Sequence, residues 1–225
     1  MHDRRRAARE LGEALRVLNN AAALTEATVE ELDVVAGEVR ALGARLARRV
    51  RPAVSLAAID DLDRGIRMFT PVTGEASPIA PPLRYDPAEG GTTATVGRVT
   101  LGPLYEGHVG VAHGGIIALL LDEVLGTAAT RRVWPSVTGG LSVRYRRPVP
   151  IGVPLVVTAA VVNVDGRRMT MHGSVCTDAD PDTVLAEGEG AFIELSREQA
   201  VRMLGSDLRR LHGVPVPADA GDARR

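Results

Sequence analysis

One stretch constrains the fold of this chain more than any other. His113-Gly114-Gly115 runs into Ile116-Ile117-Ala118-Leu119-Leu120-Leu121-Asp122-Glu123. The two glycines open a long helix, expected over residues 114–131, whose apolar side chains spread round most of its circumference. A helix of that kind has no wet face and must be wrapped by a sheet. Asp122 interrupts its most apolar run. An ionised carboxylate in apolar surroundings is costly unless it is paired, hydrogen-bonded or put to chemical use. The helix start offers bare backbone N–H groups, which suit an oxyanion. Both halves of a hydrolytic site therefore fall in one short segment.

His113 and Asp122 lie nine positions apart. At 3.6 residues per turn that is about 900°, half a turn beyond two full ones, and the axial separation is roughly 13 Å. The two ends face opposite ways and cannot hold one small reacting group between them. If both act in one reaction, the helix start of one copy meets the Asp of another. The spacing thus points to a site shared across a symmetric dimer.

The flanking pattern supplies the sheet. Residues 92–101 alternate and are expected as a strand, and residues 105–112 as a glycine-rich loop. After the helix, residues 136–147, 154–164, 168–178 and 183–195 read as four strands. Asp165-Gly166 suits a tight hairpin turn between two of them. The succession is a strand, one long helix, then a four-strand antiparallel meander. Residues 4–19 and 29–50 are expected as arginine-rich amphipathic helices, the second begun by a capping box of Thr28 and Glu31. They should form a helical hairpin packed on the main body or on a partner subunit. Glu30, Glu31, Asp33 and Glu38 argue against a membrane-surface role. The prolines and glycines of residues 70–91 break any regular element. Ile79, Ala80, Leu83 and Tyr85 suit that segment to lie against the body, near a ligand entrance. Residues 196–211 read as a terminal helix capped by Ser196, and residues 213–225 as a frayed tail. The organisation expected is a helical extension over 1–60, an irregular connection over 61–91, the sheet-and-helix domain over 92–197, and a C-terminal helix and tail over 198–225.

Composition removes several function classes. The 225 residues carry 27 basic and 28 acidic side chains, a net charge of −1, so nothing calls for nucleic acid or an anionic membrane. Aromatics at 3% leave no stacking platform for single strands. A lone Cys176 excludes an internal disulfide and a thiolate zinc site; it follows no nucleophile-elbow pattern and is discounted as a catalytic thiol. No run approaches the roughly 18 apolar residues of a membrane span. The segment Met1-His2-Asp3-Arg4-Arg5-Arg6 is charged and lacks the apolar centre of a signal peptide. The expectation is a cytoplasmic protein.

These residues together resemble a known family. Tyr105-Glu106-Gly107, His113-Gly114-Gly115, Leu120-Leu121-Asp122-Glu123 and Tyr145-Arg146-Arg147-Pro148-Val149-Pro150 carry the likeness over roughly residues 93–195, extended by Gly166-Arg167-Arg168 and Ala186-Glu187-Gly188. The pattern is similar to the PaaI-like acyl-CoA thioesterases of the hotdog fold. The resemblance implies an α+β hotdog architecture, an antiparallel sheet wrapped around one long central helix, with the N-terminal helical region added. It implies homodimers, often paired into tetramers, that hydrolyse the thioester of acyl-coenzyme A at the dimer interface. It implies no metal and no cofactor, since coenzyme A belongs to the substrate.

The resemblance also assigns roles. Asp122 matches the carboxylate that activates water or attacks the thioester, and both routes fit the sequence; the plain alternative is a structural Asp that caps or pairs locally. Glu123 should point about 100° away, to an interface or the surface. Gly114 and Gly115 match the amides that face the thioester oxygen, with Gly114 the principal donor; otherwise they are turn glycines. His113 matches a residue that orients the turn or positions the thioester. Some relatives carry Asn or Gln six residues before that His; here the position is Gly107, and neighbouring His108 is the candidate substitute. Thr138 matches a hydroxyl that holds the nucleophile or water, though Thr also suits any strand. Arg144, Arg146 and Arg147 suit the phosphates of coenzyme A, with alternation placing Arg144 and Arg146 on one face; the alternative is solvated surface charge. A non-catalytic hotdog dimer that binds acyl-CoA or another lipid is the rival reading. A hotdog hydratase fits less well, because no second Asp–His pair is present.

Overall fold

The computed structural model describes residues 2–52, 55–61, 65–87 and 94–204. Its centre is a helix, α3, Gly114–Arg132, preceded by two long helices, α1 His2–Leu24 and α2 Val29–Leu46. Eight strands accompany them: β1 Arg84–Tyr85, β2 Thr95–Thr100, β3 Glu106–His108, β4 Val111–Ala112, β5 Ser136–Tyr145, β6 Pro154–Asp165, β7 Arg168–Thr177 and β8 Ala186–Glu194. A short helix, α4 Arg197–Leu204, follows. Six strands form one antiparallel sheet in the order β1-β2-β6-β7-β8-β5.

The sheet curls round α3 as the apolar helix demanded. Ile117, Leu120, Leu121, Val124, Leu125, Ala128 and Ala129 of α3 are all buried. They share one core with Leu155, Val157, Met169, Met171, Val175 and Phe192 of the sheet. Two glycines set how closely helix and sheet approach. Gly173 and Gly188 are cross-strand partners. A Cβ on Gly173 would stand 2.6 Å from the Thr158 carbonyl oxygen, and one on Gly188 would stand 3.3 Å from Leu121 Cδ1. The bare backbone there is a seat for Leu121 and Leu125.

The sheet covers only part of the helix. The segment before β2 lies against the rest, with Val72 and Leu83 in the same core. Within it, Arg84 and Tyr85 form a strand on the sheet edge, where prolines and glycines had suggested none. The expected loop over 105–112 is likewise ordered: a 3-10 turn, Pro103–Tyr105, leads into the β3–β4 hairpin. The hairpin joining β6 and β7 turns at Gly166-Arg167, one residue later than Asp165-Gly166, with Gly166 at φ +53°.

The N-terminal helices part company. α1 is longer than periodicity suggested and is tied to the body. Arg5 donates to the Ile59 carbonyl and pairs with Asp61, Arg16 donates to the Glu75 and Ser77 carbonyls, and Asn19 to that of Pro78. α2 starts at the expected capping box, with both Thr28 and Glu31 bonds made, but none of its residues is buried. The expected packed hairpin is therefore met by α1 alone. Ser196 caps α4 through Gln199, its hydroxyl accepting from the Gln199 N–H at 3.2 Å. The remainder of the expected terminal helix and the tail lie outside the described residues.

Candidate functional site

The two halves of the expected site ride on α3, one at its start and one at its middle, and β5 touches both. At the helix start, His113 is the N-cap in extended geometry, φ −63° and ψ 134°. Its Nδ1 accepts from the Gly115 N–H at 3.0 Å. The Tyr145 hydroxyl at the end of β5 donates to the Gly114 carbonyl at 2.8 Å. That carbonyl and that N–H belong to the same peptide unit, so the Gly114–Gly115 peptide is clamped from both sides. The preceding peptide is oriented by the helix itself, since the His113 carbonyl accepts from Ile116 at 2.9 Å. Its N–H, that of Gly114, has no acceptor among the described residues. The expectation of two amides free for an oxyanion thus narrows to Gly114, because Gly115 is committed to His113.

At the third turn of α3, Asp122 is half-buried and accepts from the Thr138 hydroxyl at 3.0 Å. The strand achieves both contacts through an irregularity. Thr138 pairs with Phe192 and Gly140 with Ala191, so Gly139 is an extra residue, a β-bulge. Strand alternation would carry the helix-facing side from Tyr145, Val143 and Leu141 to Gly139. The bulge shifts the parity by one and turns Thr138 and Ser136 inward instead. Gly139-Gly140 inside a strand was the available signal for it. The Tyr145 hydroxyl carried no such signal, because its partner is a backbone atom of another element.

Asp122 and Thr138 open on a cleft of about 1470 Å³ between α3, the start of β5, α1 and the segment before β2. Phe192, Leu83, Met68 and Val137 give it an apolar lining. Glu123 lines it too, against the expectation of a surface or interface position. Asp122 and Glu123 splay to either side of a helix ridge that faces the cleft. The Glu123 carboxylate accepts from Thr73 at 3.4 Å. Burial, the largest influence, pushes its carboxyl above the usual range, and the Thr73 bond opposes that. The Tyr85 hydroxyl stands 2.7 Å from the Thr127 hydroxyl and donates to the Glu123 carbonyl at 3.3 Å; burial pushes the phenol up. The Ser136 hydroxyl is buried at the cleft wall with no partner among the described residues.

His113, Gly114, Gly115 and His108 do not line this cleft. Within one protomer, donor and acid are separated, as the nine-residue spacing required. Their surroundings are open. Gly115 and Leu119 are exposed on the same helix face as Asp122. Among the described residues β5 is the last strand of the sheet, paired on one side only, by β8.

The remaining candidates lie outward. His108 is exposed on β3. A Cβ at Gly107 would stand 2.9 Å from His113 Cα, so the hairpin backs on to the N-cap and leaves no room for an Asn or Gln. Arg144 near the end of β5 and Arg146 just past it both reach Glu187 Oε1, at 3.5 Å and 2.5 Å, so they lie to one side as expected. The Arg146 bond, chiefly, holds the Glu187 carboxyl low. Arg147 is exposed, with no side-chain partner among the described residues. Cys176 is buried, which pushes its thiol up. Among the described residues no three His, Cys, Asp or Glu side chains are grouped to hold a metal, and no helix is long and apolar enough to cross a membrane.

Known proteins share this architecture. The thioesterase superfamily model matches residues 109–184, the stretch from the β3–β4 hairpin to the approach of β8. A crystal structure of a thioesterase superfamily protein is 33% identical, covers 83% of this chain and 94% of its own, and superposes with a TM-score of 0.72. The chain belongs to the thioesterase superfamily. Among curated relatives, acyl-coenzyme A thioesterase THEM4 of Bos taurus is 30% identical over 99 residues, 44% of this chain and 40% of that protein. Acyl-coenzyme A thioesterase THEM5 of Mus musculus is 30% identical over 98 residues, 44% of this chain and 39% of its own. The match to these relatives therefore spans about two fifths of their length.

Proposed function

We propose that this protein hydrolyses the thioester of acyl-CoA, with Asp122 and the Gly114 N–H from two protomers at each site. The observation that carries the reading is the half-buried Asp122 carboxylate, hydrogen-bonded to Thr138 and open to a cleft large enough for an acyl group. The free β5 edge and the exposed helix face beside it support pairing of two protomers along β5. In that arrangement the Asp122 of each copy approaches the helix start of the other.

The reaction follows from these groups. The thioester carbonyl oxygen accepts from the Gly114 N–H of the partner subunit, which is aimed by the clamped helix start. A preorganised donor of this kind stabilises the charge that builds as the carbonyl becomes tetrahedral. Asp122 takes a proton from a water molecule as its oxygen bonds to the carbonyl carbon. The C–S bond breaks, the proton passes to the coenzyme A sulfur, and acid and thiol leave. Direct attack by the carboxylate is the other route from the same residue, through an anhydride that water then opens. Thr138 positions the carboxylate, and His113 with Tyr145 positions the amide. Arg147, exposed and without a side-chain partner among the described residues, is a cation for a phosphate of coenzyme A, with Arg144, Arg146 and His108 as further contacts. The reaction so written needs no metal or redox cofactor. We place it in the cytoplasm, where a free thiol such as Cys176 stays reduced.

The test is thiol release from a panel of acyl-CoAs of different chain length and type. Hydrolysis by the wild type, lost in a folded Asp122→Asn variant, is the expected result. A dimer that binds acyl-CoA yet releases no thiol from any member would favour the binding-module reading.

A further inference from the structure

The α2 helix has no partner among the described residues of its own chain. Seventeen of its eighteen residues are exposed and only Ala36 is half-buried. None of its side chains bonds or pairs with the body among the described residues. Yet it is not a polar helix. Leu32, Val35, Val39, Leu42 and Leu46 follow one another at spacings of three and four. Each is between 41% and 54% exposed. A three-four alternation is the seam of a two-helix coiled coil rather than of a helix lying on a sheet. A lone helix of this length is marginal in water without tertiary packing.

The charges say what lies on that seam. Glu30, Glu31 and Asp33 occupy the first half of the helix, Glu38 stands at its middle, and Arg40 and Arg45 occupy the second half, with Arg48 and Arg49 just beyond it. A second copy laid parallel would stack acid on acid and arginine on arginine. Laid antiparallel, it matches each end with its opposite. On one edge of the seam stand Glu31, Glu38 and Arg45, at heptad spacing. Antiparallel pairing sets Glu31 against Arg45 twice, with Glu38 meeting its own copy at the centre. On the other edge stand Ala36 and Gly43, which let the two axes approach; a Cβ on Gly43 would meet nothing within 4 Å.

We propose that α2 is an interaction surface for a second copy of this chain, paired antiparallel through the stripe from Leu32 to Leu46. The pairing is two-fold symmetric, as a closed contact between identical subunits requires. It does not depend on the hydrolase reading. It gives the N-terminal region a role that the sheet edge and the catalytic groups leave unfilled.

The test is the mass of the full-length protein across a concentration series, by light scattering or sedimentation. Leu42→Asp should raise the dissociation constant of one association step at least tenfold, with the thermal midpoint of the body unchanged. Glu31→Arg and Arg45→Glu should each weaken the same step. The double variant should restore it, because exchanging the two charges rebuilds both cross-pairs only in an antiparallel self-contact. If Leu42→Asp leaves every association step intact, the proposal is overturned. It is overturned equally if Leu42→Asp dissociates the protein but the double charge exchange does not rescue the single variants, for α2 then docks on something other than itself.

Discussion

A shared site can be tested by mixing two inactive proteins. Gly114→Pro removes the amide at the helix start that has no acceptor among the described residues. The backbone tolerates the change. Gly114 is the first residue after the N-cap, a position that suits proline. His113, at φ −63° and ψ 134°, already has the extended geometry that a following proline imposes. A Cβ at 114 would stand 3.2 Å from Tyr145 Cζ, so the ring must yield slightly. Gly114→Ala controls for that contact, because it adds the same Cβ and keeps the N–H. Losing a single oxyanion donor typically costs about 10²–10³ in kcat. Asp122→Asn removes the carboxylate. Now let the two inactive chains exchange subunits. In a mixed dimer, the intact Asp122 of the proline chain faces the intact Gly114 of the asparagine chain, and the other site is doubly defective. Random pairing makes half the dimers mixed, each with one of two sites restored, so activity should return to about a quarter of wild type. Thiol release before and after exchange by mild denaturation and refolding reads this directly. No recovery in demonstrably mixed dimers would refute the shared site, because donor and acid would then act within one protomer.

Two further expectations follow from single side chains. Thr138→Val keeps the β-branched shape and deletes the donor to Asp122. A hydrogen bond to a charged group is worth about 1.5–3 kcal/mol, and exposure favours the lower figure, so kcat should fall about tenfold with KM little changed; the same change on an Asp122→Asn background should have almost no further effect, and full additivity would show that Thr138 acts elsewhere. Glu123 carries a carboxyl raised by burial. Its protonated form is therefore favoured in the folded state, and its contribution is complete below the ordinary value of 4.5 and lost as pH rises through the raised one. Glu123→Gln should flatten the decline in thermal midpoint above that pH, and parallel stability curves for variant and wild type would refute the assignment.

How much of this was legible depends on whether the information was local. The helix over Gly114–Arg132 and the capping box at Thr28 were readable because helix periodicity and caps are set by neighbours within a few residues. The half-turn between His113 and Asp122 was readable for the same reason. Thr138 came from resemblance alone, since its partner lies on another element. Resemblance named Gly114 the principal donor, but no local residue pattern separated the two amides. The His113 ring folding back on Gly115 supplies the physical reason that separates them. Glu123 was misjudged because a helical wheel gives direction but not what stands there. The wall that faces it belongs to Thr73 and Tyr85, in a segment whose prolines hid its packing.

The arrangement has a mechanical economy that the separate contacts do not reveal. Acid and donor sit on one rigid helix in each protomer, so their spacing cannot drift independently. The same strand, β5, holds Gly114 through Tyr145 and Asp122 through Thr138, and the Gly139 bulge makes both contacts possible from one face. A strand without the bulge could serve the start of the helix or its middle, not both. That strand is also the free edge of the sheet. In the dimer proposed above, a movement at a seam along β5 would therefore reach both halves of both sites together. The proposed pairing would thus couple catalysis to association more tightly than a site merely located near an interface, and it predicts loss of activity on dilution as the protomers dissociate along β5.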